Sequence, residues 1–433
     1  MRQTLVQIAV VLVLSASAPL YASLASYDQA PVNYSKSEPH DAIARLQAEL
    51  AAGKIEIPYD AALGYLPGVL IALNISPKSQ MLVFSKTSLQ VHRISPETPR
   101  AVYFNDDVYI GYCQKGDVME VASTDPQLGA IFYSLSQKNT GKPVFTRQTD
   151  KCLQCHDSSS MTLGVPGHIM RSVYPDIEGR PIYSAGTFHT TQDSPFNERW
   201  GGWYVSGTSG SIKHMGNTLI KNKDDAEHAD FAKGCNVTDL SALVDTSSYL
   251  APHSDIVALM VAEHQTTMHN LISRASFEMR LALLQERDMN KALGEPADRR
   301  SPSTLGRLKS VAEPLVKYML YFDEPVFTDT IKGTSGFAEE FAARGLKDKR
   351  SRSLHDFDLK KRLFKYPCSF LIYSESFNAL PPIVLDYVKN RLTEIFNGKE
   401  GGSDYARLTP DDRDNIREIL AATWKGAPES WKY

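Results

Sequence analysis

The hydrophobic pattern changes period once along this chain of 433 residues, and the change bounds the folds open to it. Between Gln80 and Arg147 the apolar residues fall in short β-branched and aromatic runs: Met81-Leu82-Val83-Phe84, Ala101-Val102-Tyr103-Phe104, Val108-Tyr109-Ile110-Gly111-Tyr112 and Ile131-Phe132-Tyr133. Turn-forming stretches such as Asn105-Asp106-Asp107 and Lys115-Gly116-Asp117 separate them, the signature of a small antiparallel sheet. From Ser254-Asp255 onward the spacing becomes three and four. Val257, Met260, Val261, His264, Met268, Leu271, Ile272, Ala275, Met279 and Leu283 then share one face of a long amphipathic helix, which puts Asn270 and Arg274 elsewhere on its surface. Further helices are expected from Asp41 to Ala52 with Gly53 as a stop, from about Leu308 to Phe322, from Pro382 to Phe396 ending at Gly398, and from Thr409-Pro410 to about Thr423. The charged segment 344–352 reads as solvated surface or linker.

The stretch between the two textures, 157–234, is dense in Gly, Ser, Pro and aromatic residues and poor in helical periodicity. A loop region of that length inside a compact domain is usually functional or wrapped around something. The expected class is therefore α+β: a small antiparallel sheet, a loop-rich region, and a helical C-terminal half.

At the N-terminus, Leu5 to Leu14 is an almost unbroken apolar run followed by small residues, Ser15-Ala16-Ser17-Ala18. That layout is a secretory signal peptide, with cleavage after Ala22 favoured over Ala25. The run is short for a membrane span, and no later segment supplies one. The chain is expected in the periplasm or otherwise exported. Removing the leader takes away Arg2 and no acid, moving the formal charge from −3 to −4. No basic patch points to nucleic acid. The expected organisation is a leader at 1–22, an N-terminal extension at 23–60, a central region at 61–330 and a helical C-terminal region at 331–433.

Five cysteines are too few for a disulfide scaffold of this length. Two of them stand in Cys152-Leu153-Gln154-Cys155-His156. Joining a haem to a chain through its vinyl groups needs two thiols at a fixed short spacing, and an adjacent histidine can then turn back to the iron. A zinc site would want a second pair of ligands, whereas Cys113, Cys235 and Cys368 stand alone. A thioredoxin-like redox pair would want a βαβ setting, which the pattern lacks. Two of the remaining three cysteines could pair in an oxidising compartment.

The sixth iron position separates electron transfer from ligand chemistry. The leading distal candidates are His214 and Met215, in a loop preceded by the Gly- and Trp-rich run Arg199-Trp200-Gly201-Gly202-Trp203-Tyr204. Met161, His168, Met170, His189, Met260, His264 and Met268 are further candidates, the last three being what a core-facing helix requires in any case. Trp200 could cover a macrocycle. Arg199, with Arg171 and Arg180, could pair with its propionates.

Residues 152–156 resemble the haem-binding motif of c-type cytochromes. The resemblance implies thioether bonds at Cys152 and Cys155, His156 as proximal ligand, and one covalent haem c. It covers five residues, and the motif lies behind strands rather than at the start of a small all-helical domain. More widely, through 199–204, 214–217 and 366–374, the chain is similar to large single-haem exported bacterial proteins. The expected function is a periplasmic monohaem cytochrome that transfers electrons to a redox partner protein. The alternative is a haem enzyme of peroxidase-like or other small-substrate type, or a haem-based ligand sensor. Nearly two thirds of the chain follows the motif, far more than an electron carrier needs.

Overall fold

The computed structural model describes residues 26–399 and 405–432, so the expected leader at 1–22 lies outside the described residues. In chain order the helices and strands are α1 (Ala42–Ala51), α2 (Leu66–Ala72), β1 (Met81–Val83), β2 (Arg100–Phe104), β3 (Val108–Tyr112), β4 (Val118–Asp125), β5 (Gly129–Ser136), β6 (Phe145–Arg147), α3 (Leu153–His156), β7 (Arg171–Val173), β8 (Thr187–His189), α4 (Lys223–Glu227), α5 (Ile256–Leu293), α6 (Pro302–Met319), α7 (Phe337–Ala343), α8 (Glu375–Asn378), α9 (Pro382–Phe396) and α10 (Pro410–Thr423). The protein is α+β, as the change of period requires. Strands β4 and β6 are not among the apolar runs. In β4 the apolar pairs Val118-Met119 and Val121-Ala122 are split by Glu120 and followed by Ser123-Thr124-Asp125, and β6 is only three residues long.

β1 to β6 form one antiparallel meander in sequence order. Because paired residues share a face, the register sorts the sheet into two sides. Tyr103, Ile110, Val121 and Tyr133 align across four strands and belong to a core with Ile43 and Leu46 of α1 and Leu66 and Val69 of α2. Asp41 ties that layer together, accepting from the Ile43 amide at 2.8 Å as the α1 N-cap and from the Tyr133 hydroxyl at 2.6 Å. On the opposite side, Tyr109 aligns with Ala122 and Ala122 with Phe132, while Met81, Val83, Phe104 and Tyr109 join the core built on α5 and α6. That second core continues through α9 and α10, so it crosses residue 330 without a break.

α5 runs 38 residues. Its N-cap Asp255 is buried and accepts from the amides of Val257, Ala258, Thr334 and Ser335, which locks the helix start to a distant loop. Such a cap contributes on the order of 1 to 2 kcal/mol. From Ile256 to Ser273 every residue of the helix is buried, so its first half is central rather than amphipathic. Asn270, placed by the periodicity on the helix surface, is 1 % exposed. The sequence pattern fails there because the polar side chains of this stretch find partners on the sheet and loops instead of in water. No helix among the described residues is long and apolar enough to cross a membrane. Segment 344–352 is partly tied down: Arg352 pairs with Asp348 and Glu418.

Candidate functional site

The motif turn lies just after the last strand of the sheet. Cys152 precedes the single turn α3, whose geometry is set by Cys155 N and His156 N donating to Cys152 O at 3.2 and 3.0 Å. The two thiols thus sit one turn apart on a locally closed segment. Neither is oxidised; Cys155 is exposed and Cys152 half-buried. Burial pushes the Cys152 thiol up to about 11, which keeps it protonated near neutral pH.

His156 is the best-defined group of the motif. Its ring packs against Phe132, centroids 4.7 Å apart, on the α5 side of the sheet. Its Nδ1 lies 2.9 Å from Gly167 O, and Gly167 N donates back to His156 O at 2.9 Å. A carbonyl can only accept, so Nδ1 carries the proton and Nε2 keeps its lone pair. Burial lowers the affinity of this imidazole for a second proton; the Gly167 carbonyl raises it, and the charges of Arg100 and Glu120 act in opposite directions. The result is a neutral, oriented imidazole with one nitrogen free to bind a metal, the arrangement in which an outer carbonyl fixes a metal ligand.

The residues therefore fit a covalently held haem: two reduced thiols one turn apart and one ligand of defined tautomer. Among the described residues no group of three His, Cys, Asp or Glu side chains could hold a metal ion. A porphyrin supplies its own equatorial nitrogens and asks the chain for an axial ligand only.

Of the groups around this turn the sequence reading named His168 only, as a further distal candidate, and missed the rest. Arg100 and Glu120 form a partly exposed ion pair at 2.8 Å, and Arg100 Nε is buried with no partner among the described residues. His168 is buried, with Nε2 3.0 Å from Thr124 Oγ1 and its ring 4.8 Å from that of Tyr109 and 5.6 Å from that of His269. His269 Nε2 meets Asp106 O at 2.7 Å. The signal for Gly167 was the motif itself, since a histidine ligand needs an acceptor nearby. For Arg100 there was none.

The second sequence-predicted group, 199–217, is folded quite differently. The run Gly202–Tyr204 lies along β1, with Phe84 N donating to Gly202 O and Tyr204 N to Leu82 O, both at 2.9 Å. Arg199 is 2 % exposed, and its guanidinium is fully engaged by Glu263 Oε2 at 2.9 Å and by the carbonyls of Gln192 and Ser194. Its counterion in the fold is thus a buried carboxylate on α5. Burial pushes Glu263 up to about 7 against the pull of Arg199. Trp200 is entirely buried, its ring 5.1 Å from that of His214.

His214 and Met215 are each 1 % exposed. His214 Nδ1 accepts from Gly216 N at 3.1 Å, and burial alone lowers its proton affinity to about 4. Met215 Sδ accepts from the Ser172 hydroxyl at 3.6 Å, and that oxygen accepts from Gly201 N at 2.8 Å. The glycine is required here: a Cβ at Gly201 would stand 2.1 Å from Val173 O. No hydrogen bond, ion pair or ring contact joins this knot to His156 among the described residues.

The other candidates scatter. Met260, His264 and Met268 are core, His264 bridging Gln192 Oε1 at 2.5 Å and Ser369 Oγ at 2.7 Å. Met170 is buried and Met161 half-buried. His189 Nε2 is buried with no partner among the described residues. Arg171 bonds Thr187 and stacks on Tyr183, while Arg180 pairs with Glu178 and Asp176. Cys113, Cys235 and Cys368 are all free and buried, so no disulfide joins any two of them.

Comparison with family models, with curated proteins and with solved structures finds no match for this chain.

Proposed function

We propose that the chain carries one haem c, joined to Cys152 and Cys155 and ligated by His156, and that it serves as a monohaem electron carrier outside the cytoplasm. The observation that supports this most is the His156 imidazole, whose proton is held on Nδ1 by the Gly167 carbonyl, leaving Nε2 as a ligand. A bound haem would supply a one-electron couple. The chain's own part is to orient the ligand, to pack Phe132 against its ring, and to place the Arg100–Glu120 charges near it.

A second reading, ligand binding or small-substrate chemistry at an open sixth position, is favoured by one observation. The two distal candidates, His214 and Met215, are consumed by internal contacts.

The test is expression in a host that matures c-type haem, followed by oxidised and reduced spectra with and without CO. Covalent haem with a six-coordinate reduced spectrum unmoved by CO is the result expected of an electron carrier. A five-coordinate, CO-binding ferrous form would move the assignment to the second reading, and the absence of covalent haem would overturn both.

A further inference from the structure

The Gly167 carbonyl that orients His156 does not hold its place by itself. The residue beside it, His168, is gripped on both backbone sides by one side chain from the middle of α5: Asn270 Oδ1 accepts from His168 N at 2.8 Å, and Asn270 Nδ2 donates to His168 O at 2.8 Å. The grip is tight. A Cβ added at Gly167 would stand 2.5 Å from Asn270 Oδ1 and 2.8 Å from Thr162 Cβ, so only glycine lets the 167 backbone come this close to the amide. His168 is anchored a second time, to Thr124 on β4. Asn270 is 1 % exposed and sits in a helix that is buried on every side there, so it has no room to follow the loop if the loop moves.

Resting on the haem reading above, we infer that Asn270 is a positioning residue that sets the strength of the His156 axial bond, and with it the reduction potential of the site. The reasoning is electrostatic. A well-placed carbonyl acceptor makes the imidazole a more basic ligand, which favours the ferric state; loosening the carbonyl weakens that and raises the potential. The same side chain satisfies both backbone polar groups of a buried residue, so no water can substitute for it without opening the helix–loop contact.

The experiment uses the haem-loaded full chain with Asn270→Ala and, from the other side of the same contact, Gly167→Ala. Asn290→Ala is the control: it removes an equivalent pair of side-chain bonds on α5, to Pro296 O and Arg299 O. Covalent haem per chain, thermal melting, reduction potential and the ferrous iron–histidine stretching frequency are measured for each. Asn270→Ala and Gly167→Ala are expected to keep the haem, to lower the iron–histidine frequency and to shift the ferric/ferrous equilibrium about tenfold toward ferrous, a rise of about 59 mV for one electron. Asn290→Ala is expected to lose stability and leave the potential where it was. An unmoved potential in haem-loaded Asn270→Ala sinks the inference while the haem reading stands, as does an equal shift in Asn290→Ala, which would mean general softening. Should Asn270→Ala not fold, Gly167→Ala decides on the same criteria. A wild-type chain without covalent haem removes the reading and the inference together.

Discussion

The motif turn at 152–156 and the knot at 199–217 both carry side chains that suit a haem, yet they are built in opposite ways. In the turn the reactive groups are left over: two free thiols and an imidazole with one nitrogen committed and the other without a partner among the described residues. In the knot the guanidinium of Arg199, Nδ1 of His214 and the sulfur of Met215 are all used up by the protein's own groups, and Trp200 is sealed inside. Residue type signals what a side chain could bind. Only its existing partners show whether it is available, and a buried polar group is nearly always spoken for.

The comparison breaks most decisively on the cysteines. Replacing Cys152 and Cys155 together by serine should abolish covalent haem, read as loss of the haem mass increment on the denatured chain. The pair His214→Gln and Met215→Leu should leave that increment and the reduced spectrum unchanged. Haem loss or a changed spectrum in the second pair would return the knot to the site.

Next in size is the buried ion pair. Glu263→Ala strands the Arg199 guanidinium in the core and should cost about 3 to 5 kcal/mol in urea unfolding, without altering haem content per folded chain. A loss under 1 kcal/mol, as a rough bound, would mean that solvent reaches the pair.

The pH response sharpens the contrast further. The proton affinity of His214 lies near 4 in the fold, below the ordinary histidine value. The unfolded chain therefore binds more protons on the way down, so the contribution of neutral His214 is complete above about pH 6.5 and is lost as pH falls toward 4. Its slope is at most about 1.4 kcal/mol per pH unit. The stability gap between wild type and His214→Gln should narrow over that window in urea melts at several pH values; a constant gap would show that His214 does not titrate there.

The smallest effect expected is Met215→Leu alone. A volume-conserving swap should cost less than about 1.5 kcal/mol in the melting curve, because the sulfur gives up one weak hydrogen bond.

Much of the architecture was legible because it rests on period. The strand Val108–Tyr112 and the helices Pro382–Phe396 and Pro410–Thr423 run where the pattern and the caps put them. β4 escaped notice, since Val118, Glu120 and Ala122 are only half-buried and its apolar residues never form a run. At the site, Cys152, Cys155 and His156 could be read locally, being adjacent in sequence. Asn270 and Arg100 could not, because their importance comes from a chain that returns to the same place after 102 residues in one case, and from an ion pair between β2 and β4, reaching across β3, in the other.

The helix α5 has a consequence for the order of assembly. The turn bearing Cys152 and Cys155 closes through contacts four residues apart or fewer, whereas the clamp on Gly167 and His168 needs a residue that emerges from synthesis more than a hundred positions later. Local contacts form fast and distant ones slowly. On the proposed reading, the thiols are open to an attachment enzyme while the ligand carbonyl is still slack, and the arrival of α5 fixes the iron's axial bond afterwards. Pulse-labelled chains arrested short of residue 270 would then already carry haem, at a potential above that of the finished protein. Maturation would thus have a natural direction, with chemistry on the nascent segment first and tuning by the late-arriving rod second.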